Sequence, residues 1–449
     1  MLLNRKGMII KMDIKIKLND FFKGKSIAIA GFGREGRSTL EMLKSVEHGV
    51  TAVLDKNPID KADAPGCVLH CGENYLDFLD DYDIVMKSPG IALLDKVDNK
   101  VKEKITSQTD LFLRFCDNKI IGVTGTKGKS TTSSLIAHIL NYCGKKAVLI
   151  GNIGIPPLSV IDGLENDTIV VCEMSCHQLE YVKASPHTAV LLNIYEEHLD
   201  HYVDFNAYKA AKENIYKYQK EGDLLIYGKA LKNDGIASLP SRKIAASQEE
   251  NADIYIEGND IVIFGEKTSY ERLSPKIEGR HNLYNIGIAI AAALEHGCDL
   301  NKAVDAVSSF NGLEHRMEVV RTVNGVKYVN DSISTIPLAA INAVKTFNAD
   351  TVIIGGMDRG INYDLLVDFL NKSETLNIIC LPDSGYRVAD MLNTDFNVYK
   401  VKNMEEAVLK ASTVSKSCCV LSPAAASYGF YKNFEERGKH FKELVNKLK

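Results

Sequence analysis

Residues 119–131 read Lys-Ile-Ile-Gly-Val-Thr-Gly-Thr-Lys-Gly-Lys-Ser-Thr. A β-branched run (Lys119–Thr124) leads in, a glycine-rich turn follows, and Ser130–Leu140 continues with helical periodicity. Strand, loop and helix in that order make a phosphate cradle. Glycines let backbone N–H groups point at phosphate oxygens, and the helix N-terminus adds positive potential. In such a loop Lys129 neutralises the β/γ-phosphates and Ser130 ligates Mg²⁺. The strict spacing GxxxxGK would place glycine at 123, where this chain has Val123, so the segment is a variant P-loop.

Outward from this loop, β-branched runs alternate with helical patterns over most of the 449 residues. That alternation predicts parallel sheets covered by helices, an α/β fold. Downstream, Ala147–Ile150, Thr168–Cys172 and Ala189–Asn193 read as strands and Asn282–Glu295 as a long Ala/Ile-rich helix. Residues 224–275, with short apolar segments and turns, read as a smaller antiparallel sheet. Beyond Gly312, strands are expected at Lys327–Asn330, Thr351–Ile354, Asn377–Leu381 and within Ser415–Ser422, and a charged amphipathic helix at Phe434–Leu448.

Upstream, Ser26–Ala30 leads into Gly31-Phe-Gly-Arg-Glu-Gly36, with strand Thr51–Asp55 ending in an acid about twenty residues on, as in a Rossmann βαβ unit. The GxGxxG motif leaves three readings open: a dinucleotide site, a tight turn with close packing, or a cradle for a nucleotide-sugar diphosphate. The prediction is three domains: a Rossmann-like N-terminal domain (1–107), a central P-loop ATPase domain (108–312) and a Rossmann-like C-terminal domain (313–449).

Lys+Arg number 54 and Asp+Glu 58, a net charge of −4, without the basic excess of a nucleic-acid binder. Ten scattered cysteines form no pair of CxxC motifs, so reduced thiols in a cytoplasmic protein are expected rather than a zinc site or a disulfide scaffold. The basic N-terminus lacks the apolar core of a signal peptide, and no run of about 18 apolar residues predicts a membrane span.

Cys172-Glu-Met-Ser-Cys-His-Gln-Leu-Glu180 and Asn193-Ile-Tyr-Glu-Glu-His-Leu-Asp-His201 each follow a predicted strand. Ligands gather at the carboxyl ends of strands in open α/β sheets, so Glu173 and His198 are expected to converge on the P-loop metal. Asn285, early in its helix, can offer an amide edge to a base.

In order along the chain, TGTKGKSTT, GNIGIP (151–156), EMSCHQLE (173–180), LNIYEEHLDHY (192–202), KAAKENIY (209–216), GRHNLYN (279–285), GLEHR (312–316), NDS (330–332) and LSPAAAS…KNFEERG (421–438) resemble the Mur ligases of peptidoglycan synthesis. GNIGIP, KNFEERG and the Ser88-Pro-Gly turn are most similar to the glutamate-adding branch. The resemblance implies ATP-dependent amide formation through an acyl phosphate, with ATP and Mg²⁺ as cofactors and UDP-N-acetylmuramoyl-L-alanine and glutamate as substrates. It also implies a cytoplasmic monomer that binds no nucleic acid.

Residue by residue, it implies catalysis by Lys129, Glu173, His198 and Lys212. ATP would be held by Gly125, Thr126, Lys127, Gly128, Lys129, Ser130, Thr131, Asn285, Arg316 and Asp331. Metal would be held by Ser130, Glu173, His198 and a carbamylated Lys212. The nucleotide sugar would meet Arg34, Glu35, Asp55, Ser88 and Gly90, and the muramoyl path Asn152, Ser175 and Gln178. The incoming glutamate would meet Thr335, Arg359, Ser427 and Phe434. Ile333 and Ile336 stand where the family commonly carries a cation and an amide, and Arg359 falls in a segment that commonly ends in lysine. D-glutamate is the expected substrate. L-glutamate on the same acceptor, a folylpolyglutamate-synthase-like ligase and a non-catalytic nucleotide-binding sensor are the alternatives.

Overall fold

The computed structural model describes residues 14–93, 97–152, 155–197, 201–249, 251–277, 279–373, 376–393 and 397–449. The chain forms two compact units, residues 1–310 and 311–449.

The first sheet of the larger unit comprises β1 (Ile27–Ala30), β2 (Thr51–Asp55), β3 (Val68–Cys71), β4 (Ile84–Lys87) and β5 (Ile105–Thr106). Their order is β3-β2-β1-β4-β5, all parallel. The strand order reverses between β1 and β4, which places a crevice at their carboxyl ends. The glycine-rich turn and the Ser88–Gly90 turn meet there, and Ser88 Oγ donates to the Gly31 carbonyl at 2.7 Å. The helix Arg34–Leu43 starts inside the turn and packs close to the strand. A Cβ on Gly36 would lie 2.1 Å from the Gly31 oxygen, so only glycine fits.

The second sheet comprises β6 (Ile120–Thr124), β7 (Ala147–Gly151), β8 (Ile169–Glu173), β9 (Thr188–Leu191), β10 (Leu224–Gly228), β11 (Arg242–Ser247), β12 (Ile254–Glu257), β13 (Asp260–Ile263) and β14 (Glu266–Thr268). Their order is β14-β13-β12-β11-β10-β9-β6-β8-β7. Every residue of β6 is buried, as expected of a parallel strand covered on both faces. The helices Lys129–Tyr142 and Arg280–Glu295 pack in one apolar cluster on one face. The cluster on the other face is continuous with that of the first sheet, from Leu18 to Ile236.

The separate antiparallel sheet expected over 224–275 is not formed. β10, β11 and β12 extend the parallel sheet, and only β13 and β14 pair antiparallel at its edge. Short apolar runs show that strands exist. They do not show which neighbour each one finds.

The smaller unit holds β15 (Glu318–Val323), β16 (Val326–Asn330), β17 (Thr351–Gly356), β18 (Asn377–Asp383), β19 (Val398–Lys400) and β20 (Cys418–Leu421). Their order is β15-β16-β20-β17-β18-β19, parallel except for the β15–β16 hairpin. Helices Pro337–Phe347, Asp364–Asn371 and Ser384–Met391 cover one face. Helices Met404–Val414 and Phe434–Lys447 cover the other.

Candidate active site

The P-loop is braced by the segment that leaves β9. Thr126 N–H donates to the Asn193 carbonyl (2.9 Å), and Lys127 N–H to Asn193 Oδ1 (2.8 Å). Asn193 Nδ2 returns a bond to the Lys127 carbonyl (3.0 Å). Thr126 Oγ1 accepts from Tyr195 N–H (2.9 Å) and bonds the Tyr208 hydroxyl (2.8 Å). These bonds fix the loop before any ligand arrives, which lowers the entropic cost of binding phosphate.

Asp204 caps the helix Phe205–Lys217 through Ala207 N–H at 2.8 Å. Tyr208 and Lys212, one turn apart, therefore share a face. Lys212 is 1% exposed, and its Nζ donates to the Gly125 carbonyl at 2.9 Å. Lys129 Nζ donates to the same oxygen at 2.9 Å and to the Thr126 carbonyl at 3.0 Å. Burial, and then the charge of Lys129, lower the Lys212 pKa to about 8. A substantial share of this amine is therefore neutral and nucleophilic in mildly alkaline solution.

β8 ends in Glu173 beside β6, with Val123 and Glu173 in register. Glu173 is fully buried; Oε1 accepts from Asn152 Nδ2 (2.7 Å), while Oε2 has no hydrogen-bond partner among the described residues. A buried carboxylate oxygen without a donor is costly unless something positive comes to it. This is the observation by which the site fits a cation. Among the described residues no group of three or more His, Cys, Asp or Glu is arranged to hold a metal alone. A phosphate-bound Mg²⁺ needs only one or two protein carboxylates. His198 lies outside the described residues. Ser130 is buried at the helix start and Thr131 is half-buried beside it. Lys127 is exposed, its Nζ 3.5 Å from Glu197 Oε1. Asn285 is buried, and a Cβ on Gly128 would lie 2.7 Å from its Oδ1, so its helix abuts the P-loop.

A polar chain runs from here to the first sheet. Arg34 Nη2 donates to the Asn152 carbonyl at 3.3 Å, and Asn152 N–H to the Glu173 carbonyl at 2.9 Å. Gln178 Nε2 donates to Glu35 Oε1 at 2.8 Å. Ser175 and Gln178 cap each other at the short helix Cys176–Leu179, so both also have a structural task. Burial raises the Glu35 pKa. Asp55 holds the turn, accepting from Phe32 N–H (2.8 Å) and Asn57 N–H (2.8 Å). Gly90 is exposed.

In the smaller unit Asp331 is 1% exposed, accepting from Ser422 Oγ (2.7 Å) and Met317 N–H (3.2 Å), and burial raises its pKa. Ser427 is buried, Thr335 and Phe434 are half-buried, and Arg316 and Arg359 are exposed.

The sequence reading missed Asn193 and Tyr208, which shape the P-loop. Tyr208 had a signal, its position four residues before Lys212. It also missed Lys87, a buried cation 3.0 Å from Glu180 Oε2, and Arg437, though Arg437 stands within the quoted KNFEERG segment.

Residues 123–293 match the Mur ligase middle domain family. The UDP-N-acetylmuramoylalanine–D-glutamate ligase of Clostridium kluyveri is 33% identical over 452 residues, covering 95% of this chain and 98% of that protein. The enzyme of the same name from Clostridium botulinum is 32% identical over 465 residues, covering 96% and 99%. Among solved structures, the UDP-N-acetylmuramate–alanine ligase of Thermotoga maritima aligns with a TM-score of 0.56 at 19% identity, covering 94% of this chain and 99% of that one. The MurF ligase of Thermotoga maritima in complex with ADP aligns at 0.52 and 17% identity, covering 96% and 97%.

Proposed function

This chain belongs to the Mur ligase family, and we propose that it uses ATP to join D-glutamate to UDP-N-acetylmuramoyl-L-alanine. The observation that carries this reading is the braced P-loop facing two buried groups: Glu173, whose Oε2 has no partner among the described residues, and Lys212 with its lowered pKa. The relatives' names supply the substrates.

In this reading the acceptor carboxylate attacks the γ-phosphorus of ATP, ADP leaves, and an acyl phosphate forms. The glutamate amine then attacks the acyl carbon through a tetrahedral intermediate, loses a proton and expels phosphate. Lys129 leaves its carbonyl partners to pair with the transferred phosphoryl group. Loop N–H groups bind the flanking oxygens, and Asn285 sits by the base. Mg²⁺, when bound, neutralises phosphate charge; Ser130, Glu173 and His198 would hold it. Lys212, once carbamylated, would present an anion to a second Mg²⁺. Arg34, Glu35, Asp55, Ser88 and Gly90 would hold the uridine diphosphate, and Asn152, Ser175 and Gln178 the muramoyl group. Arg316 and Asp331 would contact ATP from the C-terminal domain, and Thr335, Arg359, Ser427 and Phe434 the amino acid. The domains are taken as 1–107, 108–312 and 313–449. We place the protein in the cytoplasm as a monomer. No helix among the described residues is long and apolar enough to cross a membrane.

L-glutamate is the second reading, favoured by Ile333 and Ile336 where the family commonly carries a cation and an amide, and by Arg359 where it commonly carries lysine. The test is phosphate release with ATP, Mg²⁺ and UDP-N-acetylmuramoyl-L-alanine, run with D-glutamate, with L-glutamate and with neither. Release with D-glutamate alone is the expected result. Release with L-glutamate alone selects the second reading. Release without any amino acid, or none in any tube, rejects both.

A further inference from the structure

Lys87 ends β4, in register with Ala30 of β1. Its side chain is 2% exposed, and Nζ lies 3.0 Å from Glu180 Oε2. His201 Nε2 lies 3.4 Å from that same oxygen. Burial pushes the Glu180 pKa up, but the hydrogen bond with His201 and the charge of Lys87 outweigh it and hold the carboxyl below its ordinary value. A buried ion pair adds little net stability over an apolar pair of the same size. What it fixes is position, because either charge left alone is costly.

From His201 the contact passes through aromatic rings. The ring centres of His201 and Tyr202 are 4.9 Å apart, and those of Tyr202 and Tyr208 are 5.6 Å apart, edge to face. Tyr202 is buried and Tyr208 fully so. The Tyr208 hydroxyl then bonds Thr126 Oγ1 of the P-loop at 2.8 Å. A second tether joins the same elements: Asn214, on the helix that carries Tyr208, donates Nδ2 to the Leu179 carbonyl at 3.0 Å, next to Glu180. A cavity of about 560 Å³ runs along this helix, lined by Ala207, Ala211, Asn214 and Glu180 among others. Close packing does not hold the helix on that side, so its seat depends on the polar and aromatic links.

We propose that Lys87 is a positioning residue for the nucleotide: paired with Glu180, it seats His201 and Tyr202 against Tyr208 and so holds Thr126 and the P-loop in the shape that takes up phosphate. The proposal rests on the reading of the P-loop as an ATP site. Lys87 acts through its neighbours and touches no reacting atom. Buried rings compress little, so the place of Glu180 is passed on to Tyr208 with little loss. The pair thereby ties the end of β4 in the first sheet to the phosphate loop of the second.

The test removes the two charges together, Lys87→Met with Glu180→Leu, so that no buried charge is left alone and the fold is kept. ADP binding in the presence of Mg²⁺ is measured by calorimetry, beside a thermal melt. The dissociation constant should rise about tenfold in this pair variant, and about tenfold in Tyr208→Phe, which drops the Thr126 bond. Combining all three substitutions should add less than about threefold to either effect, because a chain broken at one link is already lost. In steady-state phosphate release the pair variant should raise the ATP KM about tenfold and leave kcat within about threefold. Unaltered ADP affinity in the folded pair variant, effects that multiply to about 100-fold in the combined protein, or a fall in kcat with KM unchanged would each mean a structural ion pair and overturn the proposal. If the pair variant does not fold, His201→Phe decides. It keeps a ring beside Tyr202 and gives up the Glu180 contact, and its ADP dissociation constant should rise at least about threefold; no change overturns the proposal. Calorimetry needs no turnover, so a protein that binds ADP and releases no phosphate with any amino acid loses the ligase reading and still tests Lys87. An unaltered protein that binds no ADP would reject the ATP reading itself, and this proposal with it.

Discussion

Glu173 shows how much one atom can hold. Oε1 is occupied by Asn152 and Oε2 by no group among the described residues, so Glu173→Gln keeps the shape and replaces an open acceptor by a donor. Mg²⁺-dependent turnover is expected to fall by about 10²–10³-fold with the melting temperature nearly unchanged; steady-state phosphate release and a thermal melt check both halves. Lys212 carries a pH prediction. Carbamylation needs the neutral amine, whose share grows as pH rises through about 8. Protein kept in ¹³C-bicarbonate should show a carbamate carbon signal that is stronger at pH 8.5 than at pH 6.5 and missing in Lys212→Ala. Equal signals in the two proteins would remove Lys212 from the metal site. Gly36→Ala pushes a methyl into the Gly31 carbonyl and should cost about 1–3 kcal/mol, read by chemical denaturation.

At the scale of elements, the helix Arg280–Glu295 is held at both ends. Near its start Tyr284 donates to the Leu192 carbonyl at 2.9 Å, and Asn285 abuts the P-loop. At its end His296 Nε2 lies 3.1 Å from Thr188 Oγ1 of β9. Burial lowers the His296 pKa to about 4, against 6.5 for the free side chain. The unfolded chain therefore binds the proton first. Stability is fully present above pH 6.5 and is lost as pH falls from there towards 4, by about 3 kcal/mol at most for this group. His296→Asn should flatten the decline in melting temperature between pH 6.5 and pH 4.5. A decline as steep as that of the unaltered protein would assign it to other groups.

At the scale of the whole molecule, residues 311–449 have apolar clusters of their own, whereas the first and second sheets share one. A fragment of residues 311–449 is expected to fold alone with a cooperative denaturation curve. A fragment of residues 1–107 should not, because Leu18, Ile29 and Met86 would lose the cluster they share with Ile150, Val170 and Leu225. Near-ultraviolet circular dichroism of the two fragments distinguishes these outcomes.

By itself the sequence determined the α/β class, the P-loop and the turn at Gly31–Gly36. Each depends on short-range rules: β-branched runs, glycine where backbone must approach backbone, and a helix start just past a loop. Those rules act between residues close along the chain, so they can be read along the chain. Only the tertiary structure decided that β10, β11 and β12 extend the parallel sheet, that Asn193 braces Lys127 from 66 residues away, and that Arg437 is buried with no anion beside it among the described residues. Strand partners and the company of a buried charge are set by long-range packing. A surface arginine and a buried one read the same in sequence, and desolvation separates them only once the chain has folded.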